Sequence, residues 1–247
     1  KTEILTLTPD QKTAMKKDAV FRLASMTKPI VSVAVMMLVE EGKIDLLAPV
    51  SKYLPEFKEL KVGVERADLA SGKRKLALEA PRRPMNVQDL LRHTSGLVYP
   101  ANGDGLVYQA WQEANVQTRD QTLAEMIAKM AKLPLAHQPG TVWEYGHSTD
   151  VLGRVVEVAS AQPLDQFVHD RILTPLKMID TAFYVPGNKM ARFATFYTYD
   201  KDHERVIHPS DDYSAPPALP SGGSGMVSTA ADYLRFCQML LNGGELD

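Results

Sequence analysis

The stretch Pro29-Ile30-Val31-Ser32-Val33-Ala34-Val35-Met36-Met37-Leu38-Val39 constrains this chain more than any other segment. It is too short to cross a bilayer, which takes about 20 apolar residues in a helix. It is apolar on nearly every face, so it is expected as a helix buried inside a folded domain. Gly42 stops it. Just ahead stands Ser25-Met26-Thr27-Lys28, after the strand-like run Ala19-Val20-Phe21-Arg22-Leu23-Ala24. A serine in the first turn of a helix has its hydroxyl near the positive end of the macrodipole, where developing negative charge is stabilised. A lysine three residues later lies on the same helix face, close enough to touch that hydroxyl. A nucleophile with an adjacent amine is built in this way when no histidine is used. The plain alternative is that Ser25 caps the helix and Lys28 is solvated. Against it, a cation in the first turn opposes the dipole, and a residue placed against a local rule points to a purpose.

Composition narrows the function classes. The 247 residues suit one large domain or two modest ones, and 45% hydrophobic content fills a sizeable core. A formal net charge of -2, with no long run of one sign, argues against nucleic acid or an anionic membrane as partner. No segment reads as a membrane span. The opening residues, Lys1 to Thr8, alternate like a strand and lack a signal-peptide pattern. An export signal can be removed beforehand, so the compartment stays open between bacterial cytoplasm and periplasm. The single cysteine, Cys237, rules out an internal disulfide and reads as a small core residue. His93, His137, His147, His169, His203 and His208 form no His-Glu-x-x-His pair, so no metal site is expected. His93 reads as a structural residue closing a helix.

Along the chain, Ile4 to Thr8 and Ala19 to Ala24 read as a hairpin, followed by the Ser25 helix. Asp45 to Pro55 reads as a short helix or turn. Residues Val62 to Pro84 form a polar surface excursion with a hairpin turn at Ala70-Ser71-Gly72-Lys73. Asn86 caps a helix over Val87 to His93, and Tyr99 to Trp111 reads as loop. Thr122 starts an amphipathic helix to Met130, and Ser148 or Thr149 begins another through Val158. Leu164 to Leu173 gives a further helix. Phe193 to Tyr199 and Arg205 to Ile207 pair as strands. Ser221-Gly222-Gly223-Ser224-Gly225 is a tight, backbone-dominated loop with no Lys-Ser or Lys-Thr to make it a phosphate cradle. Thr229 and Asp232 form a capping box for a last helix, ended by Gly243-Gly244. The expected divisions are 1–85 (nucleophile helix), 86–176 (mostly helical) and 177–247 (return to the first part). Together they make an α+β body with an inserted helical region.

Four segments, in order, carry a family resemblance. They are Phe21-Arg22-Leu23-Ala24-Ser25-Met26-Thr27-Lys28, Asp89-Leu90-Leu91-Arg92-His93-Thr94-Ser95-Gly96-Leu97, Pro139-Gly140-Thr141-Val142-Trp143-Glu144-Tyr145, and Ser221-Gly222-Gly223-Ser224-Gly225-Met226-Val227-Ser228-Thr229. The chain resembles the serine hydrolases of the class C β-lactamase and penicillin-binding-protein group, and most of all the family VIII carboxylesterases. The resemblance implies a β-lactamase/transpeptidase-like fold, an antiparallel sheet flanked by helices. It implies Ser25 as nucleophile, and Lys28 and Tyr145 as proton-transfer groups. A phenol of reference pKa ~10 needs positive charge nearby to act as a base near neutrality, and Lys28 could provide it. The Ser25 amide is expected to form half of an oxyanion hole. No cofactor or metal is implied.

Two departures shape the expected activity. Where the lactamase pattern places Asn two residues after the tyrosine, this chain has Tyr145-Gly146-His147. That favours ester hydrolysis over lactam hydrolysis, with His147, Tyr108 and Trp111 as candidate substrate-binding residues; Phe196 is a further candidate for the pocket wall. The family's third motif, Lys-Thr-Gly or a His- or Trp-containing counterpart, is absent between Tyr145 and Asp247. The resemblance therefore implies that C-terminal sheet strands are missing and that this is a portion of a longer enzyme. The expected substrate is a small-molecule ester. The alternatives are a β-lactamase or D-aminoacyl peptidase with the same nucleophile, and a catalytically degenerate binding module. A rival motif, Gly146-His147-Ser148-Thr149-Asp150, nearly matches a nucleophile elbow; Asp150 at the second glycine position speaks against it.

Overall fold

The computed structural model describes residues 14–68, 72–208 and 212–245. The expected strand Ile4 to Thr8 lies outside the described residues. The run that follows it enters the fold as β1 (Phe21–Arg22). A single 3-10 turn, Ala24–Met26, then leads into α1 (Thr27–Glu40). Ser25 therefore stands in that turn, one step before the helix proper. Ala24 has φ 45°, a left-handed conformation costing a non-glycine residue roughly 1–2 kcal/mol. Helix α1 buries Ile30, Val31, Ala34, Val35 and Leu38 completely. Met36 on its far side is 41% exposed, so the helix reaches solvent along one stripe instead of being enclosed all round. Gly42, at φ 70°, turns the chain away with open space around it; its role is conformational.

Two 3-10 turns, Val50–Lys52 and Pro55–Glu59, carry the chain to the surface excursion. There β2 (Val62–Ala67) and β3 (Arg74–Glu79) form the expected antiparallel hairpin, in register from Val62 opposite Glu79 to Ala67 opposite Arg74. Helix α2 (Val87–Leu91) opens on a complete capping box, Asn86 with Asp89. It ends before His93, which takes φ 54°. Helix α3 (Leu106–Glu113) replaces a region expected as loop. Its start at Gly105 has no side-chain cap, and Val107 and Trp111 supply its buried side. Helix α4 (Leu123–Met130) begins with the Thr122–Glu125 capping box. Helix α5 (Ser148–Ser160) follows the turn at His147, and α6 (Leu164–Val168) runs into a π turn, His169–Leu173.

The return segment carries β4 (Tyr197–Tyr199) paired antiparallel with β5 (Arg205–Ile207), then β6 (Val227–Ser228) and α7 (Ala230–Leu241). Only half of the capping box expected for α7 forms. Thr229 accepts from the Asp232 amide, but the Asp232 carboxylate accepts from the Asp180 amide and the Thr181 hydroxyl.

Helix α5 is the central post of the helical region, packed against α1, α2, α4 and α6. Leu38, Leu90, Val151, Leu152 and Phe167 belong to one continuous core around it. The fold then closes on itself at β1, which pairs antiparallel with β6, Phe21 opposite Ser228 and Arg22 opposite Val227. The pairing continues past the strands, where Leu23 N–H donates to the Met226 carbonyl at 2.9 Å. In turn Met226 N–H donates to Thr27 Oγ1 at 3.2 Å. The turn holding Ser25 is thus fixed by residues some two hundred positions later in the chain.

Candidate active site

The Tyr145 hydroxyl donates to Ser25 Oγ at 2.5 Å, and Lys28 Nζ donates to the same oxygen at 3.2 Å. Alcohol, amine and phenol, drawn from two segments 120 residues apart, meet at one point. Lys28 is buried in the first turn of α1. Its amine also donates to the Gly223 carbonyl at 2.8 Å and to the Tyr99 hydroxyl at 3.4 Å, and it lies 4.4 Å from the centre of the Tyr145 ring. The Coulomb field of an ammonium over a ring face holds that ring in place.

Tyr145 is delivered by the segment just before α5. The Asn102 side-chain amide donates to the Tyr145 carbonyl at 2.6 Å, and Glu144 N–H donates to the His93 carbonyl at 2.9 Å. Glu144 is fixed by the Tyr108 hydroxyl at 2.8 Å and by His137 Nε2 at 2.5 Å. Gly146 lets the backbone pass against the Leu97 carbonyl and Val98, where any Cβ would collide. The Tyr145 ring rests against His93, with ring centres 4.9 Å apart. Burial, followed by the charge of Lys28, holds the His93 imidazole below its ordinary range.

A cavity of about 550 Å³ opens beside Ser25. Ser25, Tyr99, Asn102, His147, Ser221 and Ser224 are among its walls. His147 is 2% exposed; its Nδ1 lies 3.1 Å from Asp150 Oδ2, and its buried Nε2 has no hydrogen-bond partner. Its ring stacks on Trp111 with an interplanar angle of 12°. Trp111 itself is wholly buried, its indole N–H donating to the Pro134 carbonyl at 2.8 Å, and it supports the cavity from behind His147 instead of lining it. Tyr108 is likewise outside the cavity wall, engaged with Glu144, and the carboxylate and burial push its phenol up to about 12. Phe196 packs on His208 away from the cavity.

Sequence reasoning assigned no role to Tyr99 or to the carbonyl of Gly223. Tyr99 belongs to no motif, and a carbonyl leaves no mark in a sequence beyond the glycines around it. Burial is the main cause raising the Tyr99 phenol well above its ordinary range, with the nearby charges of Asp150 and Tyr145 adding to it. Tyr99 is therefore a neutral hydroxyl beside the amine. The rival nucleophile Ser148 is completely buried, its hydroxyl paired with that of Ser95 at 2.8 Å, and it neither caps α5 nor faces solvent. Among the described residues, no helix is long and apolar enough to cross a membrane.

A serine oxygen gripped by a lysine and a tyrosine at the edge of a cavity defines a class of centre suited to nucleophilic acyl chemistry. The chain belongs to the beta-lactamase family, whose model matches residues 8–247. Among curated relatives it is 40% identical over 235 residues to protein Rv1367c of Mycobacterium tuberculosis, covering 94% of this chain and 56% of that one. It is 38% identical over 247 residues to esterase EstB of Burkholderia gladioli, covering 92% and 58% respectively. Among solved structures it is similar to EstCE1, a hydrolase with promiscuous acyltransferase activity, with a TM-score of 0.77 and 27% identity, covering 97% of this chain and 63% of that one. The chain thus spans between half and two thirds of the length of these relatives.

Proposed function

We propose that this chain carries the acyl-transfer centre of a serine hydrolase that cleaves small or short-chain carboxylic esters. The observation that carries the reading is the contact of Ser25 Oγ with both Tyr145 and Lys28. As Ser25 Oγ bonds to the ester carbonyl carbon, its proton passes to the Lys28–Tyr145 pair, which enters this step one proton short of ammonium plus phenol and takes it up as one coupled unit. The Ser25 amide faces the developing oxyanion. The shared proton then goes to the alkoxy leaving group, the C–O bond breaks, and an acyl ester on Ser25 remains. Water, or a second alcohol, attacks that ester and restores the serine. The names of the relatives, an esterase and a hydrolase with acyltransferase activity, support both endings.

His147, standing where the lactamase pattern has an amide, supports esters over lactams. His147 belongs to the cavity wall, with Nδ1 engaged by Asp150 and Nε2 buried beside it, and a substrate polar group that reached Nε2 would satisfy it. In the complete polypeptide, Ser25→Ala is expected to abolish both turnover of a short-chain nitrophenyl ester and labelling by a serine-directed phosphonate. Tyr145→Phe is expected to slow acylation by about 10²–10⁴-fold, the usual worth of a proton-transfer group. A near-normal rate in Tyr145→Phe would remove the phenol from the mechanism, and unlabelled Ser25 would leave a binding module. Paired assays against esters and lactams separate the esterase from a lactamase or D-aminoacyl peptidase.

A further inference from the structure

We propose that Asp150 is a positioning residue for this centre. Its buried carboxylate clamps the Ser221–Gly225 loop so that the Gly223 carbonyl holds the Lys28 amine within reach of Ser25. The inference rests on the acyl-transfer reading above and adds a residue that the reading does not use.

Asp150 lies in the first turn of α5 and is 3% exposed. A carboxylate so buried is costly unless donors surround it, and donors come from two sides. Ser221 Oγ donates to Oδ1 at 2.6 Å and Gly223 N–H to Oδ1 at 2.9 Å, while His147 Nδ1 meets Oδ2 at 3.1 Å. The next peptide unit completes the chain of contacts, because the Gly223 carbonyl accepts from Lys28 Nζ at 2.8 Å. One glycine therefore joins the carboxylate to the amine through its two backbone groups. Only glycine fits there, since a Cβ on Gly223 would stand 2.8 Å from Asp150 Oδ2, and one on Gly222 would stand 2.5 Å from the Thr149 carbonyl. The loop is thus seated on the start of α5 with Asp150 as its side-chain anchor.

Asp150 holds the loop as a carboxylate and not as a neutral acid. Burial by itself would raise its carboxyl, but the hydrogen bonds from His147, Ser221 and the Gly223 amide outweigh it and hold the group ionised. The titratable groups around it are His147 from the start of its own helix, Lys28 from α1, Tyr99 from the segment after α2, and Tyr145; Arg119 lies in the same cavity wall.

The test compares wild type, Asp150→Ala and Asp150→Asn in the complete polypeptide. It follows phosphonate labelling of Ser25, nitrophenyl ester kinetics across pH, and the NMR resonance of the Lys28 side chain. Asn keeps an oxygen for Ser221 and Gly223 and loses the charge together with the acceptor that faces His147 Nδ1. The expected result is a labelling rate about 10²-fold lower in Asp150→Ala, with KM little changed, as a misplaced catalytic group produces. Asp150→Asn should recover part of that loss, because one side-chain oxygen remains for Ser221 and Gly223. The Lys28 resonance should shift in Asp150→Ala. A wild-type labelling rate in Asp150→Ala, or a Lys28 resonance in it identical to wild type, would overturn the clamp even if thermal stability fell. Should wild type remain unlabelled while the Lys28 resonance still moves, the acyl-transfer reading fails and the clamp stands. If Asp150→Ala does not fold, Ser221→Ala, which removes one of the two donors to Oδ1, carries the test: a wild-type labelling rate and Lys28 resonance in it would refute the proposal.

Discussion

Asp89 shows how much a single side chain does in this region. Burial would raise its carboxyl, yet Arg83, the Asn86 amide and Thr94 together hold it below the usual carboxylate range. The Arg83 contacts are a two-pronged pair at 2.6 and 2.8 Å, and the Thr94 hydroxyl donates at 3.1 Å. A carboxyl depressed in the folded state contributes stability above its unfolded value near pH 4, and that contribution is lost as pH falls through the folded value. Asp89→Asn should therefore lower stability at pH 7 by about 1–2 kcal/mol, discounted because Arg83 is half exposed. It should also flatten the stability profile below pH 4, as urea denaturation at several pH values would show; an unchanged slope would count against the assignment. At this scale the sequence was partly legible. Ser25 and Lys28 stand three apart, a spacing that put the amine within reach of the hydroxyl, while the other segments of the resemblance decided against plain capping. Asp150 was visible only as the residue that spoiled a glycine-bounded elbow, because its real partners lie 71 and 73 positions away. Tyr99 had no local signal at all.

Helices with side-chain caps were the legible elements. Asn86 and Thr122 each stand ahead of an acidic residue three positions on, and both boxes form with both halves in place. For α4, Thr122→Ala should cost about 1 kcal/mol in chemical denaturation; a loss indistinguishable from zero would mean that tertiary packing alone fixes the start of that helix. Helix α3 was missed for the converse reason. It begins at an uncapped glycine, and the same residues that bury its one side, Val107 and Trp111, are compatible with a packed loop. Ser148 misled in another way, since a serine at a helix start reads as a cap, whereas here its hydroxyl is spent on Ser95 inside the core. Capping rules describe competition for a helix's own amides, and a buried partner can win that competition.

On the scale of the molecule, the α+β order and the mostly helical middle follow from periodicity, but the closure of β1 on β6 does not. Two-residue strands carry no pattern, and their pairing spans nearly the whole chain. That pairing predicts that the amides of Leu23 and Val227 exchange with solvent as one cooperative unit, since the first donates to the Met226 carbonyl and the second to that of Ala182 beside it. Hydrogen exchange by mass spectrometry would show independent rates if the closure were loose. The same closure has a consequence for biosynthesis. Translation delivers Ser25 early, but the carbonyl that steadies its neighbouring amine and the strand that anchors its turn are made some two hundred codons later. On the proposed acyl-transfer reading, a nascent chain on the ribosome should stay chemically silent until residues 223–228 have cleared the exit tunnel, which keeps Ser25 from reacting before the protein has folded around it.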